Sequence, residues 1–475
     1  MFGINDERRE SLDDNFVNAE MATSADENSE PPAKCCSCSS LTNMWGKYDH
    51  SFMTLYCLQY FNAGLKILIA LAMMDMFKND YGLQPTATQV LMTFVFFPWS
   101  IKFFFGVLAD TVPICGSRKK SWLCIMGCLQ FVSMITLAIL TPKSANVATF
   151  YLTVSVGSGA FNDVIVDALM VIQAKRDPEK GSQELQTLAW GTSSIAMMIG
   201  GICAAFLTEF LNPYYCYVVY GLFGLFCVLN AYLLNPEIEE DEDLPDDNLA
   251  VDAVVNENDI EAELVESNPP AHRRTFCQEL KHNYRIIKQT LKIPAMYNAL
   301  LFFILQGFTV PSFGEFFYYF STEVAGFTQF TYSMLALVGS FSFLIGIILY
   351  NAFFKDTDVR KLLFAAILIG FVGSIFSLMF VLRLNIAWGI SDIAFVMFTG
   401  IITDTFALAF SVVPPLVLFA KITPSHVEAT MFAFLTSIIN AANSFPGKML
   451  GAAINKWFVG VTTEDMSKLW YLVVI

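Results

Sequence analysis

The sequence is poor in charge for its length. Asp, Glu, Lys and Arg make up 15% of 475 residues, whereas a soluble domain is usually about a quarter charged. Its hydrophilic segments hold no Gly-x-x-x-x-Gly-Lys-Ser/Thr nucleotide loop, no nucleophile elbow and no Cys/His metal cluster. These absences argue against an enzyme, a metalloprotein, an ATP-driven pump and a cofactor-dependent protein. The net charge of −15 also gives no indication of nucleic-acid binding.

What the sequence has instead is apolar residues in long runs. Hydrophobic residues reach 55%, with 45 Phe, and they fall into stretches of about twenty, long enough to cross a bilayer as helices. We therefore predict an all-α membrane protein. The predicted spans 1 to 11 are 52–76, 87–108, 121–141, 147–173, 187–210, 213–235, 295–320, 329–353, 362–382, 391–420 and 429–456.

The spans predict four segments of chain. Residues 1–50 are polar and acidic, and we expect a disordered tail. Residues 51–235 form an amino-terminal six-helix bundle, 236–292 a charged linker, and 293–475 a carboxy-terminal bundle. The final apolar stretch begins at Met466 and is too short to span, so we expect a twelfth helix that is truncated.

The distribution of basic residues predicts the orientation. If the N-terminus is cytoplasmic, twenty of the 28 Lys and Arg fall on that side, five on the other and three within spans. Because basic residues favour the cytoplasmic side, we expect a cytoplasmic N-terminus. The sequence does not distinguish plasma membrane from organelle membrane.

Charged residues inside the spans recur at every third span. A charge in hydrocarbon costs at least about 2.5–3.5 kcal/mol, so it needs a partner or an aqueous cavity. Spans 1, 4, 7 and 10 each contain a charged residue, whereas spans 3, 6 and 9 contain none. This pattern predicts four three-helix repeats arranged as two six-helix bundles around a central cavity. The charged residues that we take as candidates for binding solute or ion are Lys66, Lys102, Asp163, Asp167, Glu315, Asp404 and Lys448.

Asp163 and Asp167 lie four residues apart and therefore share one face of span 4. Two ionised carboxylates that close repel each other, so one must bind a proton or both need a cation. This spacing suits a proton- or cation-coupled carrier. The alternative is a structural pair bonded to Lys66 or Lys102.

Two later candidates lie in sequence that favours irregular helix. Glu315 follows Pro311 and Gly314, which loosen a helix and expose carbonyl groups. Glu315 is a candidate contact for solute or coupling ion, and the alternative is that it binds a structural partner. The same two alternatives apply to Asp404. Span 10 also contains Pro414-Pro415, which predicts a kink.

The connection between spans 2 and 3 resembles the signature of the major facilitator superfamily, in which a glycine and an acidic residue precede a basic cluster. The residues that carry this resemblance, and that it implies form a cytoplasmic gating motif, are Gly106, Asp110, Gly116, Arg118 and Lys119. An insert at 111–115 departs from the common form.

That insert and its surroundings resemble the folate–biopterin transporter family more closely. The matching elements, over about 55–460, are Pro98-Trp99-Ser100-Ile101-Lys102, Pro113-Ile114-Cys115-Gly116-Ser117-Arg118-Lys119, Asp163 with Asp167, Gly181 to Gln186, Trp190, and Pro424 with Glu428-Ala429-Thr430. Phe103 departs from the family, which usually has Pro after the Lys.

The resemblance implies a secondary transporter of folate or pterin, with a proton as coupling ion. The pterin ring edge would bind Asp163 or Asp167 through paired hydrogen bonds, and the glutamate carboxylates of folate would favour Lys66, Lys102 or Lys448. Trp99 or Trp190 would stack on the ring. Two alternatives remain open at this point: a carrier of another small organic anion, and a non-transporting scaffold or receptor with the same fold.

Overall fold

A computed structural model describes most of the chain. The described residues are 44–117, 119–177, 180–233, 294–354, 357–403, 407–422 and 428–475, with single positions at 281, 284, 285 and 288. Residues 1–47 and 48–475 form separate units. In the first unit the described part is a helical turn at 44–47.

Every regular element named in the described part of the second unit is helical. In the amino-terminal half, spans 1 to 6 are His50–Asp75 with a π-helical turn Met76–Asp80, Pro85–Thr111, Lys120–Leu140, Ala145–Ala174, Gly181–Phe210 and Tyr214–Tyr232. Six of these helices are long and apolar enough to cross a membrane, as the sequence predicted.

The carboxy-terminal half contains more interrupted helices. Spans 7 to 11 are Pro294–Thr309 with Gly314–Glu323, Gln329–Leu349 with Tyr350–Phe354, Val359–Val381, Asp392–Thr403 with Ala409–Ile422, and Glu428–Ser444 with Pro446–Ile454. The helix Ala409–Ile422 continues through Pro414 and Pro415. A short helix, Leu469–Val474, follows span 11 and buries Leu469 and Leu472.

Two interruptions are important for the site. Span 2 changes to a 3₁₀-helix at Phe97–Ile101, where Pro98 cannot donate a helical hydrogen bond. Span 7 bends by 44° between its two helices, which confirms the loosening predicted from Pro311 and Gly314. Both breaks leave backbone groups that must find partners outside their own helix.

Burial differs between the spans. In span 4, 78% of the most apolar window is buried, against 17% in span 9. Spans 1 and 5 approach closely because small residues face each other. A Cβ added at Gly64 would lie 2.7 Å from the Cβ of Ala196.

We define the proximal face as the end where span 1 begins and the distal face as the end where span 1 finishes. The loop between spans 2 and 3 lies at the proximal face. Cys115 and Gly116 have φ values of 52° and 84°, and Ile114 and Ser117 exchange backbone hydrogen bonds of 2.9 and 3.1 Å. Two central residues with positive φ are typical of a type I′ hairpin turn, so the 111–115 insert is accommodated in a tight turn.

The rest of the predicted gating motif lies on either side of this turn. Gly106 is buried and Asp110 half-buried, both in the last helical segment of span 2. Lys119 is buried just before span 3. Arg118 lies outside the described residues.

Candidate functional site

The first polar cluster joins spans 1, 2 and 4. Lys102 is 1% exposed, and its ammonium forms ion pairs with Asp163 and, at 3.2 Å, with Asp167. Asp167 also accepts a hydrogen bond from the Tyr60 hydroxyl. The two carboxylates were predicted to need a cation, and the Lys102 ammonium is a cation that contacts both. Of the two lysines named in the structural alternative, Lys102 therefore forms the ion pairs.

Lys66 occupies a different environment in the same cluster. Its ammonium lies 3.8 Å from the centroid of the Trp99 ring and 5.9 Å from that of Phe96. Among the described residues no carboxylate lies within ion-pair distance of it. A cation held over a desolvated indole gains about 2 kcal/mol, and this contact leaves the positive charge without a counter-charge at ion-pair distance. Lys66 is thus the cation of this cluster that remains available to an anion.

A small cavity lies between these side chains. Its walls are one face of span 1, one face of span 4 and the 3₁₀ segment of span 2, represented by Gln59, Ala63, Lys66, Trp99, Asn162 and Asp163. The space available to the centre of a water molecule is about 10 Å³, close to what one water requires. All the residues that line the cavity belong to the amino-terminal half, so a larger solute would fit only after these helices move apart.

Several polar atoms in the cavity wall have no partner within the described residues. They are both amide atoms of Asn162, Nε2 of Gln59 and Nε1 of Trp99. Asn162 and Gln59 are 2% and 6% exposed. An unsatisfied buried polar group costs about 1–3 kcal/mol, so a site with several of them requires an outside partner.

Asn62 provides a comparison within the same wall. Its side-chain amide exchanges two hydrogen bonds of 3.0 Å with Gln130 of span 3, and Gln130 also donates to the carbonyl of Tyr220 at 3.0 Å. The chain therefore satisfies the buried amide of Asn62, whereas in the same wall both amide atoms of Asn162 and Nε2 of Gln59 have no partner among the described residues.

A second polar cluster lies where span 2 meets spans 7 and 11. Lys448 and Glu315 form an ion pair at 2.5 Å, and Glu315 is 2% exposed with Oε2 unpartnered among the described atoms. Gln89 of span 2 donates to the carbonyls of Ser312, at 3.0 Å, and Lys448, at 2.6 Å. The break in span 7 is therefore satisfied by a side chain from the opposite half.

Further polar contacts between the two halves extend from this cluster to the distal face. We call these contacts, together with the two Gln89 bonds, the distal seam. It comprises Lys78 with Glu323 at 2.7 Å and Thr322 at 2.7 Å, Thr88 with Tyr319 at 2.7 Å, Asn455 with Thr86 at 2.9 Å, Thr463 with Gln84 at 2.8 Å, and the two Gln89 bonds. These bonds hold the distal face closed.

Polar contacts between the halves also occur toward the proximal face. The backbone N–H of Phe103 donates to Ser437 Oγ at 2.8 Å, and Gln183 donates to Asn351 at 2.6 Å. A proline at position 103 has no N–H to donate, so the departure from the family pattern adds a bond between the halves.

We expect the bonds of the distal seam to contribute to the stability of the protein. Replacing Gln89 by Leu removes a buried side-chain donor from two part-buried carbonyl oxygens, and we expect the free energy of unfolding to fall by about 1–3 kcal/mol. Replacing Gln84 by Leu is the matched control, because its bonds to Thr463 are exposed and water replaces them. Unfolding in detergent by SDS titration measures both variants, and equal losses would contradict the seam.

The structure thus divides the seven charged candidates. It brings Lys66, Lys102, Asp163 and Asp167 together, and Glu315 with Lys448 in the second cluster. Asp404 lies outside the described residues. Trp190 packs edge-on against Phe343, with 5.8 Å between ring centroids, and does not line the cavity, whereas Trp99 does.

Sequence reasoning did not identify Gln59, Tyr60, Asn162 and Gln89. A signal was present for two of them. Gln59 precedes Ala63 by four residues and Lys66 by seven, so the three share a face of span 1, and Asn162 adjoins Asp163.

Comparison with solved structures defines the class of the protein. A D-xylose–proton symporter superposes with a TM-score of 0.59 at 13% identity, over 90% of this chain and 94% of that one. The nucleoside transporter NupG superposes with a TM-score of 0.54 at 12% identity, over 89% and 96%. At such identities the likeness concerns the fold, which is that of the major facilitator transporters. The chain is a multi-pass integral membrane protein with this fold.

The family is narrower than the fold. The model of the BT1 family matches residues 63–475, and the chain belongs to that family. Its relatives include the folate-biopterin transporter of Synechocystis sp., 28% identical over 88% of this chain and 77% of the relative. The probable folate-biopterin transporter 4 of Arabidopsis thaliana is 26% identical over 90% and 93%, and the folate transporter 1 of Plasmodium falciparum is 23% identical over 87% and 74%. The family and these relatives are transporters.

Proposed function

We propose that this protein is a secondary active transporter of folate- and pterin-like solutes that binds them in the cavity between spans 1, 2 and 4. The observation that carries the proposal is Lys66, a cation in the cavity wall that pairs with no carboxylate among the described residues. The folate carboxylates are suited to such a group, because a charge-assisted hydrogen bond to an ammonium is stronger than a neutral one. The names of the relatives point to the same solutes.

Transport proceeds by alternating access of the two halves. The distal seam and the proximal contacts are each built from discrete bonds between the halves, so one face can open while the other stays closed. Opening the distal face breaks the Gln89 bonds to spans 7 and 11, and the same helix carries Trp99 and Lys102 at the cavity. Span 2 therefore links the solute site to the distal gate. We place the proximal face and the N-terminus in the cytoplasm, as the basic residues indicate.

Charge balance in the cavity supports a proton as the coupling ion. The cluster holds two lysines and two aspartates, so it is neutral before solute enters. A solute carboxylate paired with Lys66 adds one negative charge in a poorly solvated site, which favours proton uptake by the Asp163–Asp167 pair. Lys102 and Tyr60 are the other polar groups that contact this pair. Proton uptake then accompanies an anionic solute more than a neutral one.

Uptake into vesicles that contain purified protein tests this proposal. We expect labelled folate and labelled biopterin both to enter, and an inward proton gradient to accelerate folate more than biopterin. Vesicles without protein and vesicles with unlabelled competitor provide the controls. Protein that binds neither solute would overturn the assignment, and equal acceleration of the two solutes would overturn the coupling argument alone.

A further inference from the structure

The cavity that Lys66 lines also contains hydrogen-bonding atoms that have no partner among the described residues. Asn162 of span 4 offers an amide N–H₂ and a carbonyl oxygen, and Gln59 of span 1 offers an N–H₂, all buried and unpartnered in the described structure. Buried polar atoms in native proteins nearly always find a partner. Because these atoms face a cavity, a molecule that enters the cavity is the natural partner for them.

We propose that Asn162 and Gln59 form a subsite for the edge of a nitrogen heterocycle, separate from the anion position at Lys66. This inference rests on the proposed function and assigns different parts of the solute to different residues.

The chemistry of the free atoms indicates the kind of edge that fits. With Nε1 of Trp99, the wall presents nitrogen donors on three residues and one amide oxygen as acceptor. A pterin edge presents a carbonyl oxygen and ring nitrogens as acceptors beside an N–H donor, so it complements this set. Asp163 and Asp167, which the resemblance assigned to the ring, are already engaged with Lys102 and Tyr60. The ring edge therefore belongs to Asn162 and Gln59.

Water is the competing occupant, because the cavity has room for about one molecule. The two cases differ in what a substitution does. If the amides hold only water, replacing Asn162 by an apolar residue of similar size changes no solute selectivity. If they hold the ring, the same change weakens every solute that contains the ring and spares those without it.

Competition binding with three ligands separates these cases: biopterin has the ring only, p-aminobenzoylglutamate has the carboxylates only, and folate has both. We expect Asn162→Leu to weaken biopterin and folate about tenfold, which corresponds to about 1.4 kcal/mol, and to leave p-aminobenzoylglutamate unchanged. Lys66→Met should show the complementary pattern, weakening folate and p-aminobenzoylglutamate but not biopterin. Gln59→Leu should follow Asn162→Leu.

Asn62→Leu is the matched control, since Asn62 lies in the same wall but is fully paired with Gln130. We expect it to lower the melting temperature without changing the ranking of the ligands. Equal weakening of all three ligands by Asn162→Leu, or no weakening of any, would overturn the subsite. Absence of binding by the unsubstituted protein would instead overturn the proposed function, and the subsite with it.

Discussion

Replacing Lys102 by Met should remove most of the correctly folded protein. Lys102 is the cation paired with both Asp163 and Asp167, and it is almost entirely buried. Removing one partner of a buried ion pair leaves the other charge unpaired and costs about 3–5 kcal/mol, and here two carboxylates lose the same partner. We expect a large loss of monodisperse protein in detergent and a melting temperature well below that of the unsubstituted chain.

A matched control and a rescue variant make this result specific. Lys143→Met removes a lysine from an exposed position, and we expect it to melt within error of the unsubstituted protein. Combining Lys102→Met with Asp163→Asn and Asp167→Asn removes all three charges of the ion-pair network, so we expect folding to return without transport. If Lys102→Met melts like Lys143→Met, the ion-pair network does not hold the amino-terminal half together.

Replacing Lys66 by Met should weaken the binding of the solute and leave the fold intact. Lys66 has the Trp99 ring as its main contact and pairs with no carboxylate among the described residues, so a neutral side chain removes a half-buried charge without breaking an ion pair. We expect Lys66→Met to fold normally and to raise the KM for folate about tenfold or more, because a hydrogen bond to a charged group contributes about 1.5–3 kcal/mol.

The kinetic pattern distinguishes this role from a packing role. Lys66→Arg keeps the charge and should recover most of the folate uptake, whereas Lys66→Met should leave biopterin uptake near its original rate. The measurement is the dependence of uptake rate on solute concentration in proteoliposomes, normalised to inserted protein. Equal losses for folate and biopterin, or failure of Lys66→Met to fold, would contradict the assignment of Lys66 to the anion.

Most of the fold could be predicted because bilayer thickness sets a length that apolar runs must meet. Span 1 was predicted at 52–76 and forms helix at His50–Asp75 with a further turn, and the other spans agree to a similar degree. The break in span 7 was also predictable from Pro311 and Gly314. The 3₁₀ segment at Phe97–Ile101 was not predicted, although Pro98 marks it, because proline in a membrane helix produces several geometries that neighbours decide between.

The sequence identified the charged residues of the site, but it did not show which of them form ion pairs with each other. The spacing of Asp163 and Asp167 indicated one shared face, yet whether Lys66 or Lys102 would lie between them depends on how three helices rotate against each other. Sequence periodicity has no information on that rotation. The unpaired amides of Gln59 and Asn162 were missed for a related reason, since only the packed structure shows that Asn62 finds a partner and Asn162 does not.

The most direct test of the account is whether solute occupies the cavity formed by spans 1, 2 and 4. Ala63 lies in the cavity wall, so a single Ala63→Cys substitution places a thiol there, and peptide mass spectrometry follows its alkylation separately from the native cysteines. We predict that position 63 is alkylated slowly and that folate and biopterin each protect it at concentrations that saturate transport. Alkylation that neither solute changes, in a variant that still transports both, would contradict the account.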